Sequence, residues 1–214
     1  MAKDLIAQGE IAVNGLMCKE NVGILAYDII VYQGKTLQDP DQFVYYILNK
    51  PRGVECTLNS EVPDNLIAYL PVEGSKIFYA GRLDKASDGL LLLTNDGYVY
   101  NKVIDPKKTV TKVYEVGLES EYNAEFLAKM EAGVAILNTI TLPCRVEKID
   151  STHFRIYLTQ GLNRQIRRMC FALGNYVVRL KRTHIGELAL KDLETGKYRK
   201  LETLEIDWLR NLPL

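Results

Sequence analysis

The chain has 214 residues, and its 27 Lys+Arg balance 27 Asp+Glu to a formal net charge of zero. Attraction to a polyanion through overall charge is thereby excluded, and any such affinity must come from local patches. The four cysteines, Cys18, Cys56, Cys144 and Cys170, form no C-x-x-C pair, and the two histidines, His153 and His184, are far apart, which argues against a disulfide framework or a zinc site and for reduced thiols.

The opening residues MAKDLIAQGE hold no signal-like apolar stretch, and no run approaches the roughly 20 apolar residues that cross a bilayer. The expectation is a cytoplasmic protein without a membrane segment. A short helix is predicted over Ala2 to Gln8, stopped by Gly9. A strand and the hairpin signal Asn14-Gly15 follow, then another strand and a turn at Gln33-Gly34. The polar, Pro-containing stretch Gln38 to Gln42 reads as a linker. Residues 1–40 are therefore expected to form a small α/β module, and residues 43–214 the main domain.

The main domain reads mostly as strands. VYYILNKPRG (Val44 to Gly53) ends in a turn, and KIFYAGRLD leads into GRLDKASDGLLLLTNDG, Gly81 to Gly97. Four consecutive leucines look like a strand buried on both faces, with Asn95 or Asp96 capping a helix after it. KVYEVGLES places Tyr114, Val116 and Leu118 on one face, and CRVEKIDSTHFRIYLTQG reads as a hairpin turning near Asp150-Ser151 with Phe154, Ile156 and Leu158 inward. One helix puts Phe126, Leu127 and Met130 on a single face and ends at Gly133. Another, NRQIRRMCFALG, has a core stripe of Ile166, Met169, Cys170 and Leu173, with Arg164, Arg167 and Arg168 opposite; Asn163 is expected to cap its start and Gly174 its end. Neighbouring strands with few crossover helices point to an α+β fold with a largely antiparallel sheet.

Between Ser151 and Gly186 the charges segregate: Arg155, Arg164, Arg167, Arg168, Arg179, Lys181 and Arg182 are interrupted by no acid. Lys102, Lys107, Lys108 and Lys112 make a second basic run. The pattern suggests phosphate binding, with Tyr100, Tyr114 and Tyr157 near enough in sequence to stack on bases; a solvated helix face is the plainer reading. Asp84 is unusual for lying so close to the leucine run. DKASDG fails as a calcium loop, because Ala86 and Asn95 stand at its third and twelfth positions. The chain has no Walker loop, no G-x-G-x-x-G and no Ser-His-Asp grouping.

GRLDKASDGLLLLTNDG resembles the defining motif of ribosomal RNA pseudouridine synthases of the RsuA branch. LNKPRG (Leu48 to Gly53), KVYEV (Lys112 to Val116) and QGLNRQIRRMC (Gln160 to Cys170) resemble the other motifs of that family, the last in a form most like its large-subunit members. The first forty residues resemble an S4 RNA-binding module that begins inside its second helix, so a shortened module is expected. The resemblance implies conversion of uridine to pseudouridine in structured ribosomal RNA by a monomer, with no cofactor and no metal. It makes Asp84 the catalytic carboxylate, Arg167 its basic partner, and Tyr114 the ring that stacks on the base. Arg82 is expected to enter the space of the extruded nucleotide, and Lys112, Arg164 and Arg168 to contact phosphates. Gln165 is placed with these RNA-binding residues, with loop fixing as its structural reading. The alternative from another class is a catalytically silent RNA-binding protein that assists ribosome assembly.

Overall fold

The computed structural model describes residues 2–71, 77–105 and 110–212. Lys107 and Lys108, half of the second basic run, lie outside the described residues. The chain divides into two compact units, Met1–Val44 and Tyr45–Leu214.

In the first unit, helix α1 (Ala2–Ala7) precedes strands β1 (Ile11–Val13), β2 (Leu16–Cys18), β3 (Ile30–Tyr32) and β4 (Lys35–Gln38), which form one sheet in the order β2-β1-β3-β4. The β1–β2 turn places both central residues at positive φ, Asn14 at 49° and Gly15 at 81°. This turn's twist suits a two-residue hairpin, and Asn and Gly are the residues that tolerate it. Asn14 also accepts from Ile29 N at 2.9 Å and donates to Asp28 at 2.8 Å, so it ties the hairpin to the segment before β3. A short 3-10 turn, Pro40–Gln42, follows β4.

The second unit begins with β5 (Tyr45–Lys50), β6 (Phe78–Ala80) and β7 (Asp88–Thr94), then α2 (Gly97–Ile104) and β8 (Lys112–Leu118). Helix α3 (Ala124–Ala132), a small hairpin of β9 (Ala135–Ile136) and β10 (Thr139–Ile140), and a longer one of β11 (Arg145–Lys148) and β12 (His153–Leu158) come next. The chain closes with α4 (Gln165–Ala172), β13 (Val177–Ile185), β14 (Leu188–Ala189), β15 (Tyr198–Lys200) and α5 (Thr203–Arg210). The main sheet runs β11-β12-β8-β13-β7-β5-β15, with β6 on β7 and β14 on β13. Only β13–β7 is parallel among these pairs, so the sheet is mixed but mostly antiparallel, as expected.

Every residue of β7 is buried, as its run of leucines implies for a strand with neighbours on both edges and both faces covered. Asp96 caps α2, accepting from Tyr98 N at 2.9 Å and Val99 N at 3.2 Å. One face of the sheet carries the core: Val116 and Leu118 of β8, Phe154, Ile156 and Leu158 of β12, and Leu180 of β13 pack under α3 and α4. Helix α4 contributes Ile166, Met169 and Cys170, the stripe its spacing predicts.

The start of α4 departs from expectation. Asn163 is not the cap; Arg164 holds that position, with φ +50° and no side-chain capping bond. The loop needs a left-handed residue there to enter the helix. Asn163 instead accepts from Arg168, at 3.0 Å on its carbonyl and 3.3 Å on its side chain. The second basic run is also partly structural, because Lys102 is buried and donates to Arg210 O at 2.8 Å, satisfying a carbonyl at the end of α5.

Candidate active site

The sheet forks at β7. On one edge, β6 pairs with its far end, Ala80 opposite Leu92. On the same edge, β13 pairs with its near end, Lys181 opposite Asp88 and Arg182 opposite Gly89. The segment from Gly81 to Ser87 emerges where the two strands part, and it carries Asp84. Arg182 fills the crotch of the fork. It is only 2% exposed and donates to Leu90 O at 2.8 Å and to Gly81 O at 2.7 Å.

Further contacts, most of them to its backbone, hold this loop. Leu83 N donates to Cys56 Sγ at 3.4 Å. Gly53 N donates to Lys85 O at 2.8 Å, which brings the LNKPRG turn against the loop. Arg167 donates to Ala86 O at 3.0 Å and to Ser87 Oγ at 3.4 Å, while its other nitrogen reaches Val177 O at 2.9 Å. Ser87 N closes the turn on Asp84 O at 3.0 Å. Lys50 is fully buried beneath the LNKPRG turn, donating to Pro51 O at 2.8 Å and Val54 O at 2.6 Å; burial lowers its pKa from the usual lysine value.

The Asp84 side chain on this braced loop is exposed. It lines a cleft of about 140 Å³ together with Arg82, Tyr114, Arg164 and Gln165. Tyr114 and Arg82 also line a larger cleft of about 650 Å³, where they meet Lys112, Arg182, Phe78 and Tyr100. The register explains the arrangement. Lys112 and Tyr114 lie on the same face of β8 as Val116 and Leu118, and Arg182 lies opposite Tyr114 across β8–β13. One sheet face therefore changes along its length from packed core to cationic cleft.

Arg167 is half-buried, and its donors go to carbonyls and a hydroxyl rather than to the Asp84 carboxylate. Desolvation lowers its pKa, and the nearby charge of Asp84 opposes that effect. Lys112 is also desolvated, and with Arg182 beside it its pKa falls to about 8.

Two expectations change. Gln165 is buried; its side-chain oxygen accepts from Leu162 N at 2.9 Å, so it fixes the loop before α4 while forming part of the cleft wall. Tyr157 points to the opposite sheet face, where it donates to Glu147 at 2.8 Å under the Arg145 guanidinium, 4.8 Å from its ring centroid. Arg155 joins that face by pairing with Glu115 at 2.9 Å. The residue missed by the sequence is Arg182, which the unbroken basic run conceals. Its signal is a cation in phase with Leu180 on an inward-facing strand position. Among the described residues, no group of three or more His, Cys, Asp and Glu side chains comes together as a metal site.

The family described as RNA pseudouridylate synthase matches residues 44–172. This chain belongs to that family. It is 37% identical over 207 residues to the dual-specificity RNA pseudouridine synthase RluF of Salmonella typhi, covering 96% of this chain and 71% of that protein. It is 33% identical over 219 residues to the ribosomal large subunit pseudouridine synthase B of Bacillus subtilis (strain 168), covering 99% and 89%. A crystal structure of a pseudouridylate synthase superposes with a TM-score of 0.74 at 32% identity, covering 97% and 92%. The protein is thus a pseudouridine synthase, an isomerase of uridine in RNA, of the branch its four motifs resemble. Among the described residues no helix is long and apolar enough to cross a membrane.

Proposed function

We propose that this synthase isomerises a uridine of ribosomal RNA, preferably of the large subunit, and that Asp84, Tyr114 and Arg167 carry the reaction. The observation behind this is the braced loop, which presents one exposed carboxylate to a cleft lined by an aromatic ring and cations. The reaction breaks the bond from N1 to C1′, turns the base, and joins C5 to C1′. The hydrogen on C5 leaves as a proton to solvent and N1 takes a proton up, so the step balances and requires no redox partner. A carboxylate can assist by covalent attack or by stabilising positive charge on the sugar, and both roles need it open to the substrate. Tyr114 supplies the stacking surface for the base. Arg167 holds the Asp84 loop in place and adds a fixed positive charge behind it, a role that a guanidinium's permanent charge and several donors suit.

Arg82 lines both clefts, which supports assigning it to the gap left by the extruded nucleotide. Lys112, Arg164 and Arg168 are assigned to phosphates. The unit Met1–Val44, a helix followed by a four-stranded sheet, is assigned as an S4-like RNA-binding module, and the protein as a monomer. Similarity to a ribosomal large subunit synthase supports the choice of RNA. Tritium release from ribosomal RNA carrying [5-³H]uridine tests the reading. Release that saturates at a fixed number of sites is expected. Tight binding of the same RNA without release would overturn it in favour of a silent RNA-binding protein.

Two further outcomes follow. Arg168→Ala should weaken RNA binding and lower the slope of log affinity against log salt by about one phosphate contact. An unchanged slope in a salt titration would place Arg168 away from the backbone. Lys112 should make affinity pH-dependent. Because its pKa is about 8 in the free protein, the charged form is lost as pH rises through that value. If only the charged form holds phosphate, affinity falls about tenfold between pH 7 and pH 9. Lys112→Arg keeps its charge and should flatten that decline.

A further inference from the structure

The exposed face of α4 carries more than charge. Arg164, Arg167, Arg168 and Phe171 fall at positions i, i+3, i+4 and i+7, directly opposite the core stripe. Phe171 is 63% exposed where a helix surface ordinarily places a polar residue. Tyr176, just past the end of the helix, is 56% exposed, and its ring centroid lies 5.6 Å from that of Phe171 at an interplanar angle of 60°. The two rings and Val177 form an open apolar shelf, which the three arginines complete into a cleft of about 300 Å³. No acidic residue is among those that line it.

Single exposed apolar residues are common, but two touching rings with arginines on one side are a patch with a defined edge. The chemistry fits an unstacked nucleobase and its phosphates: the rings offer π faces, and the guanidinium groups offer charge and further stacking surface. The position fits as well. Arg164 lines both this cleft and the one holding Asp84, so a strand leaving the active cleft past Arg164 runs onto the shelf.

We infer that the Phe171–Tyr176 shelf binds a base of the substrate RNA flanking the target uridine, with Arg164 and Arg168 on the adjoining phosphates. The inference rests on the RNA-modifying reading above. The shelf is separate from the Asp84 cleft, and its rings take no part in the chemistry.

The test compares the unaltered protein with Phe171→Ser, Tyr176→Ser and Phe171→Trp on ribosomal RNA carrying [5-³H]uridine. The readouts are KM, kcat, and the RNA Kd across a salt series. Each serine variant should raise KM and Kd about tenfold, the scale of one lost base stack, with kcat within about twofold. The salt slope should not move, because no phosphate contact is removed, and Phe171→Trp should restore affinity. KM and Kd within about twofold for both serine variants would overturn the shelf. So would a loss that tryptophan does not rescue. Dissociation of a dimer by Phe171→Ser, with RNA affinity kept, would also overturn it and show an interface between copies. Failure of the unaltered protein to release tritium would count against the isomerase reading alone, since the Kd ratios still decide the shelf.

Discussion

Asp84→Asn should lower tritium release by at least about a thousandfold while leaving RNA affinity within a few-fold. The size follows from removing a group that either bonds to the substrate or faces its developing charge, where a single lost electrostatic contact already costs about a hundred- to a thousandfold. Asn keeps the shape and can still accept a hydrogen bond, so the loop should keep its conformation. That loop is held by backbone contacts from Arg182, Cys56, Gly53 and Arg167, none of which involves the Asp84 side chain. Affinity should therefore survive, and a thermal melt should coincide with that of the unaltered protein. Single-turnover release beside a filter-binding titration measures both quantities. Near-normal turnover by the variant would remove Asp84 from the mechanism.

Gly89→Ala should strongly destabilise the second unit. A Cβ there would stand 2.3 Å from Arg182 O and 2.7 Å from Arg182 N, and the residue has φ +107°. Both obstacles are backbone, so no side chain can swing away, and β7 and β13 must separate. Overpacking and backbone strain each cost about 1–3 kcal/mol, giving a loss of roughly 3–5 kcal/mol. For a unit of this size, a fall in Tm of about 6–20 °C follows. Gly97→Ala is the control, since its Cβ would meet nothing within 4 Å at the first turn of α2. It should melt within about 2 °C of the parent. Equal melting of the two variants would mean that the parallel pairing at Gly89 is looser than the structure shows.

Much of the fold was legible because its segments obey one rule each. The leucine run has to be a strand with both faces covered, and Asn14-Gly15 has to be a tight hairpin. The alternation around Tyr114 matched because Tyr114, Val116 and Leu118 share one face of β8, where Val116 and Leu118 join the core and Tyr114 packs against it. The site was less legible where tertiary neighbours decide. The stretch from Ser151 to Gly186 looked purely basic only along the chain. In the sheet, Arg155 meets Glu115 and Glu147, which come from β8 and β11. Arg182 could be read as one more surface cation, but cross-strand geometry buries it between two carbonyls. The capping role expected of Asn163 was lost to Arg164, because a loop entering α4 under tertiary constraint takes its left-handed residue where the path demands it.

The fork at β7 has a further consequence for how a uridine is chosen. Asp84 stands on a segment fastened to four separate parts of the chain, so the protein has little freedom to reach for its target. The deformation must then come from the RNA. Extruding a nucleotide costs a few kcal/mol in a paired helix and least where pairing is already weak. On the proposed assignment of Asp84, a rigid receiver would work as a mechanical gauge. It would rank uridines by how cheaply their surroundings yield, before any base is read by contact, and so favour a compliant bulge or loop over a stiff stem with the same sequence.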